Sequence, residues 1–96
     1  MIWIATEDGL NRYDGAKFIT YKHDPENEYS LCHNYVRVLY EDSKGRLFVG
    51  TYNGIQLYDP ETDSFSARAQ WEDGKTFDSN IMSILERRNG EIWVSG

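Results

Sequence analysis

The segment NYVRVLYEDSKGRLFVGTYNGIQLYD, residues 34–59, decides the fold of this 96-residue chain. It consists of short apolar runs that are separated by glycine- and asparagine-containing turns at 42–45 and 53–54. Glycine and asparagine supply the positive φ that tight hairpin turns require. The segment therefore predicts antiparallel β-hairpins, and no helical periodicity competes with that interpretation.

The same pattern recurs on both sides of this segment. Trp3, Phe48 and Trp93 are spaced 45 residues apart, and each lies between two aliphatic residues. At this offset Thr6 also aligns with Thr51. Further pairs at the same offset are Gly9 and Gly54, Tyr13 and Tyr58, Asp14 and Asp59, Val36 and Ile81, Glu41 and Glu86, and Gly45 and Gly90. A fixed period of this length indicates a repeat architecture.

One complete repeat predicts four strands, at about 35–41, 46–51, 55–58 and 64–68. Some strands, such as the one at 36–40, are apolar on both parities, so both of their faces must be covered. Stacked four-stranded blades provide that cover, and the period is the usual size of a blade. We predict an all-β fold, a β-propeller fragment of about two four-stranded antiparallel blades with a 45-residue repeat.

The chain is expected to begin and end inside blades. Residues 1–21 are predicted to supply the last three strands of a first blade, 35–68 a complete four-stranded blade, and 81–96 the first two strands of a third. Residues 22–34 and 69–80 are the predicted inter-blade loops. Because repeat proteins gain stability from neighbouring units, we expect the chain to pack against the remaining blades of a longer parent or against other copies of itself.

Composition narrows the possible partners. Ten basic and sixteen acidic residues give a formal charge of -6, and the basic residues are scattered, so nucleic acid is excluded as a partner. A single cysteine, Cys32, cannot form an internal disulfide and is expected to be a small buried apolar residue. No apolar stretch approaches the ~20 residues of a membrane span, so membrane attachment is expected only through a parent protein.

Residues 34–51 and 54–60 resemble the two-component regulator propeller repeat. That family's pattern runs Asn-x-Val, an aliphatic strand, Glu-Asp, a Gly turn, an aliphatic-Trp-aliphatic-Gly-Thr strand, then Gly-Leu and Tyr-Asp. Phe48 replaces the usual Trp, and the last repeat departs from the pattern at Arg87 and Ser95. The resemblance implies a periplasmic sensor region of a hybrid two-component protein, as in Bacteroidetes, whose parent carries a histidine kinase and takes part in a phosphorelay.

The resemblance implies a non-catalytic, ligand-sensing segment that responds to oligosaccharides. The alternative is a propeller scaffold for protein–protein interaction or dimerisation without small-molecule binding. We predict no enzyme activity in this segment, no cofactor and no metal. The acidic pairs at 7–8, 41–42 and 72–73 border turns, where aspartate caps backbone amides, and His23 and His33 lack the spacing of a metal motif.

A ligand is expected at the end of the blades where the inter-blade loops and the turns between second and third strands emerge. The candidate binding residues there are Asn34, Tyr35, Tyr52, Asn53, Ser79 and Asn80. The recurring aromatic residues Trp3, Phe48 and Trp93 are instead expected to pack in the interior of three successive blades, because large aromatics between aliphatics are mostly buried.

Overall fold

A computed structural model describes residues 1–66 and 80–95 of the chain. These residues form nine β-strands in three antiparallel sheets. Sheet 1 contains β1 (Ile2–Thr6), β2 (Gly9–Tyr13) and β3 (Phe18–Tyr21). Sheet 2 contains β4 (Val36–Glu41), β5 (Leu47–Thr51), β6 (Gly54–Asp59) and β7 (Ser64–Phe65), and sheet 3 contains β8 (Ser83–Glu86) and β9 (Ile92–Ser95). The prediction of an all-β antiparallel architecture is confirmed. Within the described ranges, no helix is long and apolar enough to cross a membrane.

The strands of sheet 2 agree with the hairpin pattern of the sequence. The predicted strands at 35–41, 46–51 and 55–58 are observed at Val36–Glu41, Leu47–Thr51 and Gly54–Asp59. The predicted strand at 64–68 is observed as Ser64–Phe65, and residues 67–68 lie outside the described part. The turn residues therefore place the strand ends to within about one residue, because each hairpin needs its glycine or asparagine at a fixed position.

Sheet 2 buries apolar side chains on both of its faces. The face toward sheet 1 contributes to a cluster of the buried residues Leu10, Leu31, Val36, Val49 and Phe65. The opposite face packs against sheet 3 in a second cluster of the buried residues Ile55, Ile81 and Ile84, with Val38 and Phe48 packed against it. This two-sided burial explains why β4 and β5 are apolar on both parities.

A β-bulge in β4 allows neighbouring valines to serve both clusters. Val36 pairs with Thr51 and Val38 pairs with Gly50, so Arg37 is the extra residue in this part of the ladder. Without the bulge, Val36 and Val38 would point to the same face, because side chains alternate along a strand. The bulge thus sends Val36 toward sheet 1, Val38 toward sheet 3 and leaves Arg37 at the end of the strand.

Sheets 2 and 3 approach each other closely at Gly50. A Cβ atom at this position would lie 2.6 Å from Val38 Cγ1 and 2.7 Å from Ile81 Cγ2. These distances are well below van der Waals contact, so a larger residue would force the two sheets apart. Glycine is required here by the packing distance between the sheets.

The recurring aromatics do not all share one environment. Trp3 packs in the seam between sheets 1 and 2, with its ring centroid 4.8 Å from that of Tyr58, and Phe48 packs against the cluster between sheets 2 and 3. The expected interior packing is therefore confirmed for Trp3 and Phe48. It is wrong for Trp93, which is 53% exposed and carries the Arg87 guanidinium 4.6 Å from its ring centroid. The physical reason is that no sheet of the described residues covers the outer face of sheet 3.

Candidate functional site

Hairpin turns in each sheet alternate between two ends of the molecule. The loop end carries the β1–β2 turn (7–8), the β5–β6 turn (52–53) and the connection 22–35 between sheets 1 and 2. The turn end carries the turns at 14–17, 42–46, 60–63 and 87–91. By their positions in the sequence, all six predicted binding residues belong to the loop end.

A threonine motif shapes the β5–β6 turn and presents Tyr52 at its tip. Thr51 Oγ1 donates a hydrogen bond to the carbonyl of Gly54 (3.0 Å) and accepts one from the amide of Asn53 (3.0 Å). Thr6 makes the corresponding two bonds, to the Gly9 carbonyl (2.7 Å) and from the Asp8 amide (3.1 Å). Both threonines therefore have a structural role, because each satisfies the backbone of a tight turn.

Four side chains gather beside this turn: His33, Tyr35, Arg37 and Tyr52, which we call the Tyr–Arg cluster. The rings of Tyr35 and Tyr52 meet edge to face with centroids 4.2 Å apart, and the Arg37 guanidinium lies 5.5 Å and 5.1 Å from their centroids. Arg37 Nη1 also donates to the Tyr52 hydroxyl (3.1 Å). The His33 ring meets Tyr52 edge to face at 5.8 Å. Cation–π contacts and the hydrogen bond hold Arg37 in place.

Hydrogen bonds fix the polar atoms around the cluster. The carboxylate of Glu7 beside the Tyr35 hydroxyl raises the pKa of Tyr35, because it favours the protonated phenol. The amide of Tyr35 donates to His33 Nδ1 (3.0 Å), so in the neutral ring the proton resides on Nε2. The amide of Tyr52 donates to the carbonyl of Tyr35 (3.2 Å), which ties the turn to the start of β4.

The other predicted residues have different surroundings. Asn34 is committed to the backbone, since its Oδ1 accepts from the His23 amide (2.6 Å) and its carbonyl accepts from the Gly9 amide (2.6 Å). Asn80 Nδ2 lies 3.7 Å from Met82 Sδ, and its buried Oδ1 has no partner among the described residues. Ser79 lies outside the described residues. Of the six candidates, the structure therefore brings together Tyr35 and Tyr52.

Asn53 borders a cleft on the other side of the same turn. The cleft has a volume of about 470 Å³ and is lined by residues of the connection between positions 23 and 32 together with Asn53 and Gln56. Gln56 is buried and holds the connection in place: its Oε1 accepts from the Cys32 amide (2.9 Å), and its Nε2 donates to the carbonyls of Ser30 (3.1 Å) and Ser66 (2.8 Å). Cys32 is partly buried there rather than a fully buried apolar residue.

The candidate list from the sequence omitted Arg37, His33 and Gln56. A signal for two of them is present in the repeat itself, since Arg37 aligns with Met82 and Gln56 aligns with Asn11 at the 45-residue offset. Positions where the repeats differ in chemistry are free of the packing requirement that the repeats share. The bulge that isolates Arg37 from the ladder has no such signal, because it depends on strand pairing.

The acidic residues at the turns are engaged in local structure. The Asp42 carboxylate accepts from the amides of Lys44 (3.0 Å) and Arg46 (2.8 Å), as expected for a capping residue. The Asp8 carboxylate instead pairs with Lys22 Nζ (3.0 Å), and the pair at 72–73 lies outside the described residues. Across residues 1–66 and 80–95, no group of three His, Cys, Asp or Glu side chains is placed to hold a metal ion.

A protein-family model and a known protein match parts of this chain in sequence. Residues 30–53 match the model of the two component regulator propeller family, which confirms the resemblance predicted from the sequence. Histidine kinase P4 of Formosa agariphila is 38% identical over 60 residues, which cover 59% of this chain and 4% of that protein.

A solved structure resembles almost the whole chain. It is the crystal structure of the extracellular domain described as that of a hybrid two component system from B. thetaiotaomicron, with a TM-score of 0.63 and 26% sequence identity. The similarity covers 96% of this chain and 19% of that structure. The three antiparallel sheets thus match a fragment of a larger extracellular domain.

Proposed function

We propose that this chain is a non-catalytic, ligand-sensing segment of an extracytoplasmic propeller in a hybrid two-component signalling protein, and that it responds to oligosaccharides. The observation that carries the proposal is the similarity over 96% of the chain to the extracellular domain of a hybrid two component system. The parent would be a periplasmic sensor attached to a histidine kinase. Ligand binding would act by shifting a conformational equilibrium toward the state that binds the ligand more tightly.

In this proposal the three sheets are consecutive propeller blades. Sheet 1 with residues 1–21 is the end of one blade, 35–68 is a complete blade, and 81–96 begins the next. The segment 22–34 connects the first two blades at the loop end, and the second predicted inter-blade loop, 69–80, lies outside the described residues except for Asn80. The ligand would bind at this end, where the Tyr–Arg cluster and the cleft beside Gln56 flank the β5–β6 turn.

The Tyr–Arg cluster supports oligosaccharide binding through its chemistry. Tyr52 is 38% exposed, and its ring offers an apolar surface beside hydroxyl and guanidinium groups. Carbohydrate rings have apolar C–H faces and polar edges, so they suit an aromatic surface with hydrogen-bonding groups at its rim. Ligand sites commonly combine aromatic lining with a few fixed polar groups in this way.

The test is calorimetric titration of the extracellular region that contains this chain with a panel of plant and algal oligosaccharides. We expect binding that is lost in Tyr52→Ala. The matched control is Phe18→Ala, which removes an exposed ring that stacks on Tyr13 at the turn end. Binding that survives Tyr52→Ala but not Phe18→Ala would move the site to the turn end. Absence of binding to every oligosaccharide in a folded sample would reject the sensing proposal.

A scaffold without small-molecule binding is the second candidate, and exposed apolar surface favours it. Ile2, Ile4 and Phe18 are exposed on sheet 1, and Leu85 and Trp93 are exposed on sheet 3. Apolar sheet faces of this kind pack against further blades or other copies of the chain. Light scattering distinguishes the candidates: stable assembly without glycan binding supports the scaffold, and a monodisperse 11.2 kDa monomer contradicts self-association of the chain.

A further inference from the structure

The polar groups of the Tyr–Arg cluster divide into those used within the protein and those still available. The Tyr35 hydroxyl lies beside the Glu7 carboxylate, which favours its protonated form. His33 Nδ1 is used as an acceptor for the Tyr35 amide. One N–H of Arg37 is used in its bond to the Tyr52 hydroxyl. The remaining groups decide which ligand chemistry fits.

The polar groups that remain on Arg37, Tyr52 and His33 are hydrogen-bond donors, and the Glu7 carboxylate beside Tyr35 is an acceptor of the protein itself. The Tyr52 hydroxyl accepts from Arg37, so its own proton is available. The neutral His33 ring carries its proton on Nε2, and Arg37 retains further N–H groups. No carboxylate of the described residues forms an ion pair with Arg37, whereas Arg12, Lys22 and Arg46 are each paired with an aspartate.

Donors around a guanidinium that has no ion-pair partner among the described residues favour an acceptor-rich, negatively charged group. A carboxylate fits the planar fork of arginine because it can accept two parallel N–H bonds. The aromatic rings beside Arg37 suit the C–H face of a sugar ring. The two features together describe one ligand unit, a sugar that carries a carboxylate.

We propose that the Tyr–Arg cluster recognises the carboxylate of a uronic acid residue in the oligosaccharide. This inference rests on the proposed sensing function and specifies its ligand class. Arg37 binds the carboxylate, the Tyr52 hydroxyl and His33 Nε2 donate to the same group or its neighbours, and the sugar ring lies against Tyr52. Arg37 supplies the positive charge that attracts the carboxylate in a protein whose overall charge is -6.

The test compares two forms of the same ligands. Trimers of galacturonate, glucuronate and mannuronate are titrated into the extracellular region that contains this chain, each as the free acid and as the methyl ester. Esterification removes the negative charge and adds one methyl group. We expect at least one acid to bind about 20-fold more tightly than its ester, the size of a charge-assisted hydrogen bond.

Variants locate the effect in the cluster. Arg37→Gln should weaken binding of the acid by about 20-fold and leave binding of the ester nearly unchanged. Arg37→Lys should retain part of the affinity, since it keeps the charge and loses the fork. Arg87→Gln is the matched control, because Arg87 also lies over an aromatic ring, that of Trp93, but at the turn end. Tyr52→Phe is a second probe that removes the hydroxyl and keeps the ring.

The outcomes separate this inference from the function on which it rests. Equal binding of acid and ester, or binding of neutral oligosaccharides alone, overturns the uronate inference and leaves carbohydrate sensing intact. An acid preference that persists in Arg37→Gln overturns the assignment to this cluster. Absence of binding by every acidic and neutral oligosaccharide rejects both proposals together.

Discussion

At the turn end of the molecule, several carboxylates bond to neighbouring parts of the protein, whereas at the loop end Arg37 forms no ion pair with a described residue. The buried carboxylate of Asp42 binds two backbone amides and Arg46 Nε (2.6 Å). Glu86 of sheet 3 accepts from the amide (2.9 Å) and the hydroxyl (2.6 Å) of Ser43 in sheet 2. The Tyr–Arg cluster at the loop end has only one internal side-chain hydrogen bond for its guanidinium.

The turn at 60–63 also contains a carboxylate that joins two sheets, here sheets 1 and 2. Asp63 has a positive φ of 53°, and its carboxylate accepts from the hydroxyls of Tyr21 (2.5 Å) and Tyr58 (2.6 Å) and pairs with Arg12 (3.5 Å). Desolvation of Asp63 acts to raise its pKa, but the two phenols and Arg12 outweigh that effect and hold it below its usual value. Turn-end carboxylates therefore join neighbouring sheets.

This contrast indicates that one repeat can use its turn end for stability and its loop end for binding. A hydrogen bond that joins two sheets needs a matching donor and acceptor on both sides of the seam, which restricts the residues at the turn end. The loop end has to satisfy only the threonine motif, so the residues next to it can differ between repeats.

Among the variants that test this contrast, Asp42→Ala at the turn end is expected to reduce stability most. The substitution leaves the amides of Lys44 and Arg46 without their acceptor in a turn that is partly closed to water, so we expect the thermal midpoint to fall by about 10 °C. Circular dichroism measures the midpoint. Asp59→Ala is the control. Asp59 is exposed and accepts a hydrogen bond from the Glu61 amide, so its replacement should lower the thermal midpoint only slightly. Equal midpoints for the two variants would contradict a special role for Asp42.

Thr51→Val tests whether the loop end also contains structural residues. Valine keeps the shape of threonine but leaves the Asn53 amide and the Gly54 carbonyl without their partner in a buried turn. We expect a loss of about 1.5 kcal/mol in the free energy of unfolding, measured by urea denaturation. Thr6→Val should cost less, since the same bonds there are partly exposed. A larger loss at Thr6 than at Thr51 would show that burial does not set the difference.

The stability of the protein should depend on pH, because the hydrogen bonds of Asp42 favour its charged form. Desolvation acts to raise its pKa, but the Arg46 amide and guanidinium and the Lys44 amide favour the carboxylate, so the pKa lies below its ordinary value of 3.8. A lowered pKa contributes stability that is complete above the unfolded value and is lost as the pH falls through the folded value. The difference in thermal midpoint between the wild type and Asp42→Asn should therefore be constant above about pH 5 and narrow by several degrees below 3.8.

The smallest effect is expected for Arg37→Gln at the loop end. Arg37 is the unpaired residue of a bulge and forms no ion pair with a described residue, so its loss should change the thermal midpoint by less than about 2 °C. Differential scanning fluorimetry at low and high salt provides the measurement. A midpoint as low as that of Asp42→Ala would mean that the Tyr–Arg cluster is structural, and the contrast between the two ends would disappear.

Much of the fold was predictable because it depends on local chemistry. Glycine and asparagine indicate the hairpin turns at 42–45 and 53–54. Trp3 and Phe48 pack between sheets, as their aliphatic neighbours indicate. The exposure of Trp93 was not predictable from its equivalence to the other two. Burial of a side chain depends on the presence of a covering sheet, which the residue itself does not encode.

The candidate site was only partly predictable. Tyr35 and Tyr52 were identified as loop-end residues, and the structure brings their rings together. Asn34 has the right location but is used by the backbone of the connection. Arg37 and His33 were missed because they reach the tyrosines through a bulge and a turn, and neither contact follows from spacing along the chain.

The amino-acid sequence by itself determined the strands, their turns, the 45-residue period and the need to bury both faces of the middle sheet. These features are local, since turn geometry and the parity of side chains act within a few residues. The tertiary structure decided which faces are covered, how the turn-end carboxylates join the sheets, and that Arg37 lies across Tyr35 and Tyr52. The reason is physical: such contacts depend on the distance and register between sheets, which are set by packing across the seams.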